Sequence, residues 1–339
     1  PFKKIKFKSD SEYWITVSVH EKQNRFWANK GFQIAKDQIL LNPKEFLGDY
    51  KSKSKAKVSA LETKDEIKVL GKGFSATVLK STGDLNTFQL NGKEQIITPL
   101  KPDFFRPPID NDLRGASSRD FNKSRKYWEF MADSLVTDVV EISKQLENEV
   151  IISVSKYYKD KIGLTITYRF LSDGRIIVKM NMDANKSLPD LVKFGMTMGI
   201  PKTYSETTFY GKGPHENYID RKRGTEVSEY TFKTDDLFTN YIFPQENGNR
   251  SEVRWLKLSE NKKNDLIIKG SPELGFSIWP YTAQNIEEAK HTFDLENKGF
   301  YTLNLNLIQM SVNGTLSETL PQFIIPSGEY KFEFILNAQ

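Results

Sequence analysis

The 339-residue sequence contains no cysteine, which excludes disulfide staples and thiolate metal sites but does not fix a redox compartment. Histidine is scarce too. His20, His215 and His291 are the full set, and no spacing pairs two of them as ligands, so neither a metal nor another cofactor is expected. No run approaches the roughly 18 apolar residues of a spanning helix, so no membrane partner is expected. An excess of one charge is also missing: 49 basic against 44 acidic residues, largely interspersed, leave a net +5. That carries no nucleic-acid footprint. The densest basic run, Lys51 to Lys57, reads as a solvated linker rather than a polyanion contact. The sequence opens on Pro1 rather than methionine, so a targeting signal of a longer parent would lie out of view, and the location stays open between cytoplasm and periplasm.

What is present is strand. Hydrophobic residues at 38% and charged residues at 27% suit a globular protein, and aromatics reach 12%. Flat rings of this kind pack β-cores and also stack on sugar faces. Residues 149–158, 162–170 and 175–182 are β-branched, aromatic and close to period two, with the turn sequence Ser172-Asp-Gly174 between the last two. They predict an antiparallel meander. Further strands are expected at 76–79, 194–200, 207–210, 266–269, 276–279, 301–308 and 330–336. Helix is expected over 119–132 and 285–291. Two sheets packed face to face are the natural burial for so many one-sided strands. A polar, lysine- and serine-rich stretch at 42–66 predicts a linker. It separates a short piece, 1–41, from a large β-domain over 67–339. The short piece holds too few strands to bury much apolar surface, and reads as part of a small sandwich.

Four segments carry a resemblance. They are Trp27 to Gln38 (WANKGFQIAKDQ), Ile97 to Asp112 (ITPLKPDFFRPPIDND), Tyr210 to Arg221 (YGKGPHENYIDR) and Tyr241 to Arg250 (YIFPQENGNR). Together, in this order, they resemble the carboxy-terminal region of glycoside hydrolase family two β-galactosidases. The resemblance implies an all-β chain: the end of an immunoglobulin-like sandwich, then a large two-sheet antiparallel β-supersandwich of the galactose-mutarotase-like type. It further implies a hydrolase whose two catalytic glutamates stand on a preceding barrel. Retaining glycosidases need such a pair about 5–5.5 Å apart. No catalytic residue is therefore expected in this chain, which reads as a noncatalytic portion shaping a β-galactoside pocket. Its implied partners are the carbohydrate, the barrel domains and further copies in a homo-oligomer. A stand-alone carbohydrate-binding module and an aldose-1-epimerase-like enzyme are the alternatives.

Candidate carbohydrate-binding residues follow from these segments, each beside a plainer reading. Glu216-Asn217 and Glu246-Asn247 place a carboxylate beside an amide, as a sugar contact would, but loop-stabilising hydrogen bonds account for them as well. Asp110-Asn111-Asp112 offers oxygens that suit a hard cation, yet it lacks the glycine and distal glutamate of a calcium loop. Bonding to its own backbone is the plainer reading, with Arg106 pairing one carboxylate. His215 and His291, with a glutamate, would supply the acid and base of an epimerase, whereas His20 reads as a surface strand residue. Near the end, relatives of the resembled family place a sugar-stacking tryptophan. Counted without gaps from Gln309, that position is Glu318, within a loop 311–320 whose Asn313-Gly314 favours a tight turn.

Overall fold

The computed structural model describes residues 6–8, 11–43, 51–52, 54–116, 118–260, 263–312 and 318–338. The chain forms two units, Pro1–Phe46 and Leu47–Gln339. In the first, β1 (Tyr13–His20) and β2 (Gln33–Asn42) pair antiparallel, with Thr16 opposite Gln38 and Ser18 opposite Lys36. The alternation Ile15-Thr-Val-Ser-Val19 suits an extended chain. Even so, Val17, Val19, Ile34 and Ile39 are each more than half exposed, and Phe26 and Trp27 in the connection are exposed as well. Two strands give too little area to bury such side chains.

The second unit is all-β and antiparallel. Its leading strands are β3 (Val58–Glu62), β4 (Glu66–Gly71), β5 (Phe74–Leu79), β6 (Leu85–Leu90), β7 (Lys93–Glu94) and β8 (Thr98–Asp103). Three short helices follow, α1 (Asp110–Arg114), α2 (Ser118–Trp128) and α3 (Met131–Ser134). Next come β9 (Val136–Leu146), β10 (Glu149–Tyr158), β11 (Ile162–Leu171), β12 (Ile176–Ala184), β13 (Lys193–Pro201), β14 (Glu206–Gly213), β15 (Glu226–Lys233), β16 (Arg250–Glu260) and β17 (Lys263–Trp279). Helix α4 (Ala283–Glu288), β18 (Phe300–Gln309) and β19 (Glu329–Ala338) complete it.

Pairing gives two sheets that share a strand. One runs β9, β10, β11, β12, β19, β17, β16, β14, β15. The other runs β17, β18, β13, β8, β6, β5, β4, β3. The shared strand is β17: residues 266–271 pair with β19, and residues 275–279 pair with β18. Sequence patterning had split it into two strands, because Gly270-Ser-Pro272 at the bend carries turn chemistry. At the opposite edge Val58 N donates to Glu147 O at 2.9 Å, next to the β9–β10 turn. Between the sheets lie Ile67, Val78, Ile152, Ile166, Met180, Phe194, Leu303, Leu305 and Phe334, each almost fully buried. Burying a side chain of this size stabilises by roughly 1.5–3 kcal/mol.

Two boundaries differ from the sequence reading. The expected linker 42–66 includes β3, where the short alternation Val58-Ser-Ala-Leu61 follows the lysines and Val58 is buried against the core; residues 44–50 and 53 lie outside the described residues. The expected helix 119–132 stops at Trp128, whose ring is buried and whose Nε1 donates to Pro189 O at 3.0 Å. Met131–Ser134 then starts a separate turn.

One feature of the second sheet positions the site. Along β18, Leu303 and Leu305 join the core, so Asn304 and Asn306 lie on the opposite face. A polar set on a strand ordinarily meets water. Here both asparagines are only 1% exposed.

Candidate functional site

The loop leaving β8 is built around Arg106, which is fully buried. Its Nη1 and Nη2 donate to the two carboxylate oxygens of Asp112 at 2.6 and 3.3 Å, and to the carbonyls of Pro107 and Ser311 at 3.1 and 3.0 Å. Asp112 also accepts from Ile109 N at 2.8 Å. This fork fixes the turn that carries Asp110 and Asn111 outward. Asn111 Nδ2 donates to Val312 O at 3.1 Å, and the Asp220 carboxylate accepts from Val312 N at 3.2 Å. The segments 97–112, 210–221 and the start of the 311–320 loop are thereby tied together.

The segment after β14 supplies Glu216, Asn217 and Tyr218. Glu216 accepts from Arg221, from Tyr241 OH at 3.0 Å and from Gly248 N at 2.7 Å. Asn217 is buried; its amide donates to Lys212 O and His215 O, and its carbonyl accepts from Ser251 N at 3.0 Å. Asn247 likewise serves its own loop, accepting from Thr239 N and donating to Gln245 O, while its backbone carbonyl accepts from Trp279 Nε1 at 2.8 Å. Both asparagines hold loops in place.

Glu246 stands apart chemically. It is 3% exposed, Tyr218 OH donates to its Oε1 at 3.3 Å, and the Gln309 side-chain amide is a further donor to the carboxyl. Burial pushes its carboxyl up to about 7, although Arg106, Lys193, the Gln309 amide and Tyr218 all favour the charged form. Lys193, itself buried, pairs with Asp103 and donates to Asn304 Oδ1 at 3.4 Å. Burial raises Tyr218 as well, reinforced by the neighbouring Glu246 and Glu216.

These groups line a pocket of about 270 Å³ whose wall includes Asp110, Asn111, Glu216, Tyr218, Tyr241 and Glu246. Of the residues singled out from sequence, the structure thus brings together Asp110, Asn111, Glu216 and Glu246, with Arg106 and Asp112 bracing them from behind. Asn217 and Asn247 hold its loops. His215 is exposed and is not among the lining residues. His291 lies beyond α4, stacked on Phe293 with ring centroids 4.9 Å apart and its Nδ1 3.6 Å from Asp294. Glu318 is exposed and does not line the pocket; residues 313–317, including the expected Asn313-Gly314 turn, lie outside the described residues. Sequence reasoning passed over Tyr218, Arg221, Tyr241, Gln245 and Val312. The first four sit inside the quoted segments, where aromatic and polar side chains among Gly, Pro and Asn were the available signal.

Residues 70–336 match the family model for the β-galactosidase small chain. The chain belongs to that family. Residues 1–42 match the family model for β-galactosidase domain 4. Among curated relatives, the β-galactosidase of Halalkalibacterium halodurans is 30% identical over 307 residues, covering 89% of this chain and 30% of that protein. That of Vibrio cholerae is 27% identical over 341 residues, covering 97% and 32%. That of Priestia megaterium is 27% identical over 305 residues, covering 89% and 29%. The chain spans about a third of the length of the curated relatives it matches. A solved galactose 1-epimerase from Lactobacillus acidophilus is similar with a TM-score of 0.49 and 12% identity, over 84% of this chain and 98% of that one. The segments 97–112, 210–221 and 241–250 fall inside the small-chain match, and 27–38 falls inside domain 4.

Proposed function

We propose that this chain is the noncatalytic carboxy-terminal portion of a retaining β-galactosidase-like hydrolase, and that the Glu246 pocket closes one side of its sugar site. The observation that carries this reading is convergence. Segments separated by up to about 200 residues, 97–112, 210–221, 241–250 and the start of the 311–320 loop, meet at one cavity. Its wall combines carboxylate and amide acceptors (Asp110, Glu246, Gln245) with the ring faces of Tyr218 and Tyr241, a mixture that suits sugar hydroxyls and C–H faces. The catalytic carboxylate pair belongs, in this proposal, to a barrel elsewhere in the enzyme, and contact with that barrel and with further copies of the chain is this unit's second role.

Asp110 gives the sharpest test. It lies on the pocket rim, and among the described residues its side chain meets the Gln245 amide at 3.4 Å while its backbone N–H keeps its own bond to Gln245, so removing its side chain costs little stability. In the enzyme joined to its barrel, Asp110→Ala is expected to lower kcat/KM on lactose about tenfold, the value of one hydrogen bond to a charged group, with Tm unchanged. Unchanged kinetics would place the sugar elsewhere.

A further inference from the structure

Glu246 is buried yet lines the pocket, and a ladder of side-chain amides fixes the direction in which hydrogen bonds reach it. The ladder begins at a backbone carbonyl, Asn217 O, which can only accept. Asn249 Nδ2 donates to it at 2.7 Å, and Asn217 N donates back to Asn249 O at 2.7 Å. Asn249 must therefore turn its Oδ1 the other way, where Asn306 Nδ2 donates to it at 3.4 Å. The same Nδ2 donates to Gln309 Oε1 at 3.1 Å. With its oxygen so engaged, Gln309 offers its N–H to its last neighbour, the Glu246 carboxyl. All four ladder residues are buried, so reversing any one amide would set acceptor against acceptor or donor against donor away from solvent.

Tyr218 arrives with the same polarity, its OH donating to Glu246 Oε1 at 3.3 Å. Both neighbours thus treat the carboxyl as an acceptor, a role that an ionised carboxylate fills with lone pairs to spare for a hydroxyl in the pocket. A protonated Glu246 would need an acceptor for its own hydrogen, and Gln309 Oε1 is already engaged. The charged groups around it come from several elements. Arg106 beyond β8 is held by Asp112, Lys193 of β13 by Asp103, and Glu216 on the pocket wall by Arg221, while Asp110 stands at the rim beside Gln245. Burial pushes the carboxyl up to about 7 against Arg106, Lys193, Gln309 and Tyr218, so both forms are populated near neutral pH. We infer that Gln309 is a positioning residue that presents Glu246 to the pocket as an acceptor, so that a sugar hydroxyl is held by the ionised carboxyl and let go when Glu246 takes up a proton. This rests on the reading of the pocket as a sugar site. A hydrogen bond to a charged acceptor exceeds one to a neutral acceptor by about tenfold in affinity.

An NMR pH titration of the chain carrying isotope-labelled glutamate tests this, with the Glu246 signal assigned by its loss in Glu246→Gln. The free chain is expected to show a Glu246 midpoint at about 7. Saturating methyl β-D-galactopyranoside should lower that midpoint by about one unit, the linkage equivalent of tenfold tighter binding to the ionised form. Gln309→Met, which removes a donor to the charged form, should raise the midpoint of the free chain. Should that variant not fold, the sugar-induced shift in the parent chain decides alone. A midpoint that bound sugar leaves in place or raises overturns the inference while leaving the sugar reading intact, and an unmoved midpoint in folded Gln309→Met overturns the role of Gln309. A sugar that perturbs no signal at either end of the pH range removes the reading of the pocket, and the inference with it.

Discussion

Glu246 concentrates the site's chemistry at the scale of a single residue. A carboxyl raised to about 7 by burial binds its proton more tightly folded than unfolded. Its contribution to stability is therefore fully present below the ordinary carboxylate range, is lost as pH rises through that range to about 7, and is flat above. The loss amounts to on the order of 3 kcal/mol. Glu246→Gln removes the ionisation while keeping the shape. The variant is expected to match the parent near about pH 4.5 and to exceed it by most of that amount near about pH 8, read from denaturation midpoints. An equal difference at both pH values would contradict the assignment. Pairing of Arg106 with a carboxylate of the Asp110–Asp112 cluster was legible, since a guanidinium six residues from clustered acids seldom stays alone. Which acid takes the fork depends on the Pro107–Ile109 turn, which sequence spacing does not give. His215 and His291 are exposed on loops outside the pocket, His291 with Phe293 and Asp294 as its neighbours.

At the scale of elements, the meander β10 to β12 was readable because one face of each strand is apolar and the connecting Ser172-Asp-Gly174 has turn chemistry. The β18 strand was found too, but the meaning of its pattern was not. Thr302-Leu-Asn-Leu-Asn306 reads as core on one side and solvent on the other, whereas the loops bearing Asn249 and Glu246 lie against the polar side and bury it. Strands β9 and β16 were missed because charged residues such as Asp138, Glu141, Glu252 and Arg254 interrupt their apolar sets. The packing of β13 on β18 yields a prediction. A Cβ on Gly195 would lie 2.4 Å from Leu305 O and 2.8 Å from Asn306 Oδ1, and a ladder carbonyl cannot retreat without breaking its pairing. Gly195→Ala should therefore destabilise by about 1–3 kcal/mol, lowering the urea midpoint at unchanged m-value. An unaltered midpoint would show that the two strands are less tightly apposed than described.

For the whole molecule, the division into a first unit with two strands among its described residues and a large β-unit has unequal consequences. The first unit exposes Val17, Val19, Trp27, Phe32, Ile34 and Ile39, each by more than half, and a lone hairpin is marginal in water. Hydrogen exchange should be fast through Tyr13–His20 and Gln33–Asn42, and slow in β10 to β13. Slow exchange throughout the hairpin in a strict monomer would mean that the ribbon is stable without a cover. The all-β class, the two-sheet architecture and the family were legible because strand period and four ordered segments are local properties of the sequence. The cavities were not, since they form where distant loops meet. In the proposed function this chain contributes to a galactosidase site while a barrel elsewhere performs the hydrolysis. The most direct measurement is release of p-nitrophenol from p-nitrophenyl β-D-galactoside by the purified chain. No turnover above the protein-free blank is predicted; turnover that disappears in Glu246→Gln or Glu216→Gln would contradict the account and make this pocket a catalytic one.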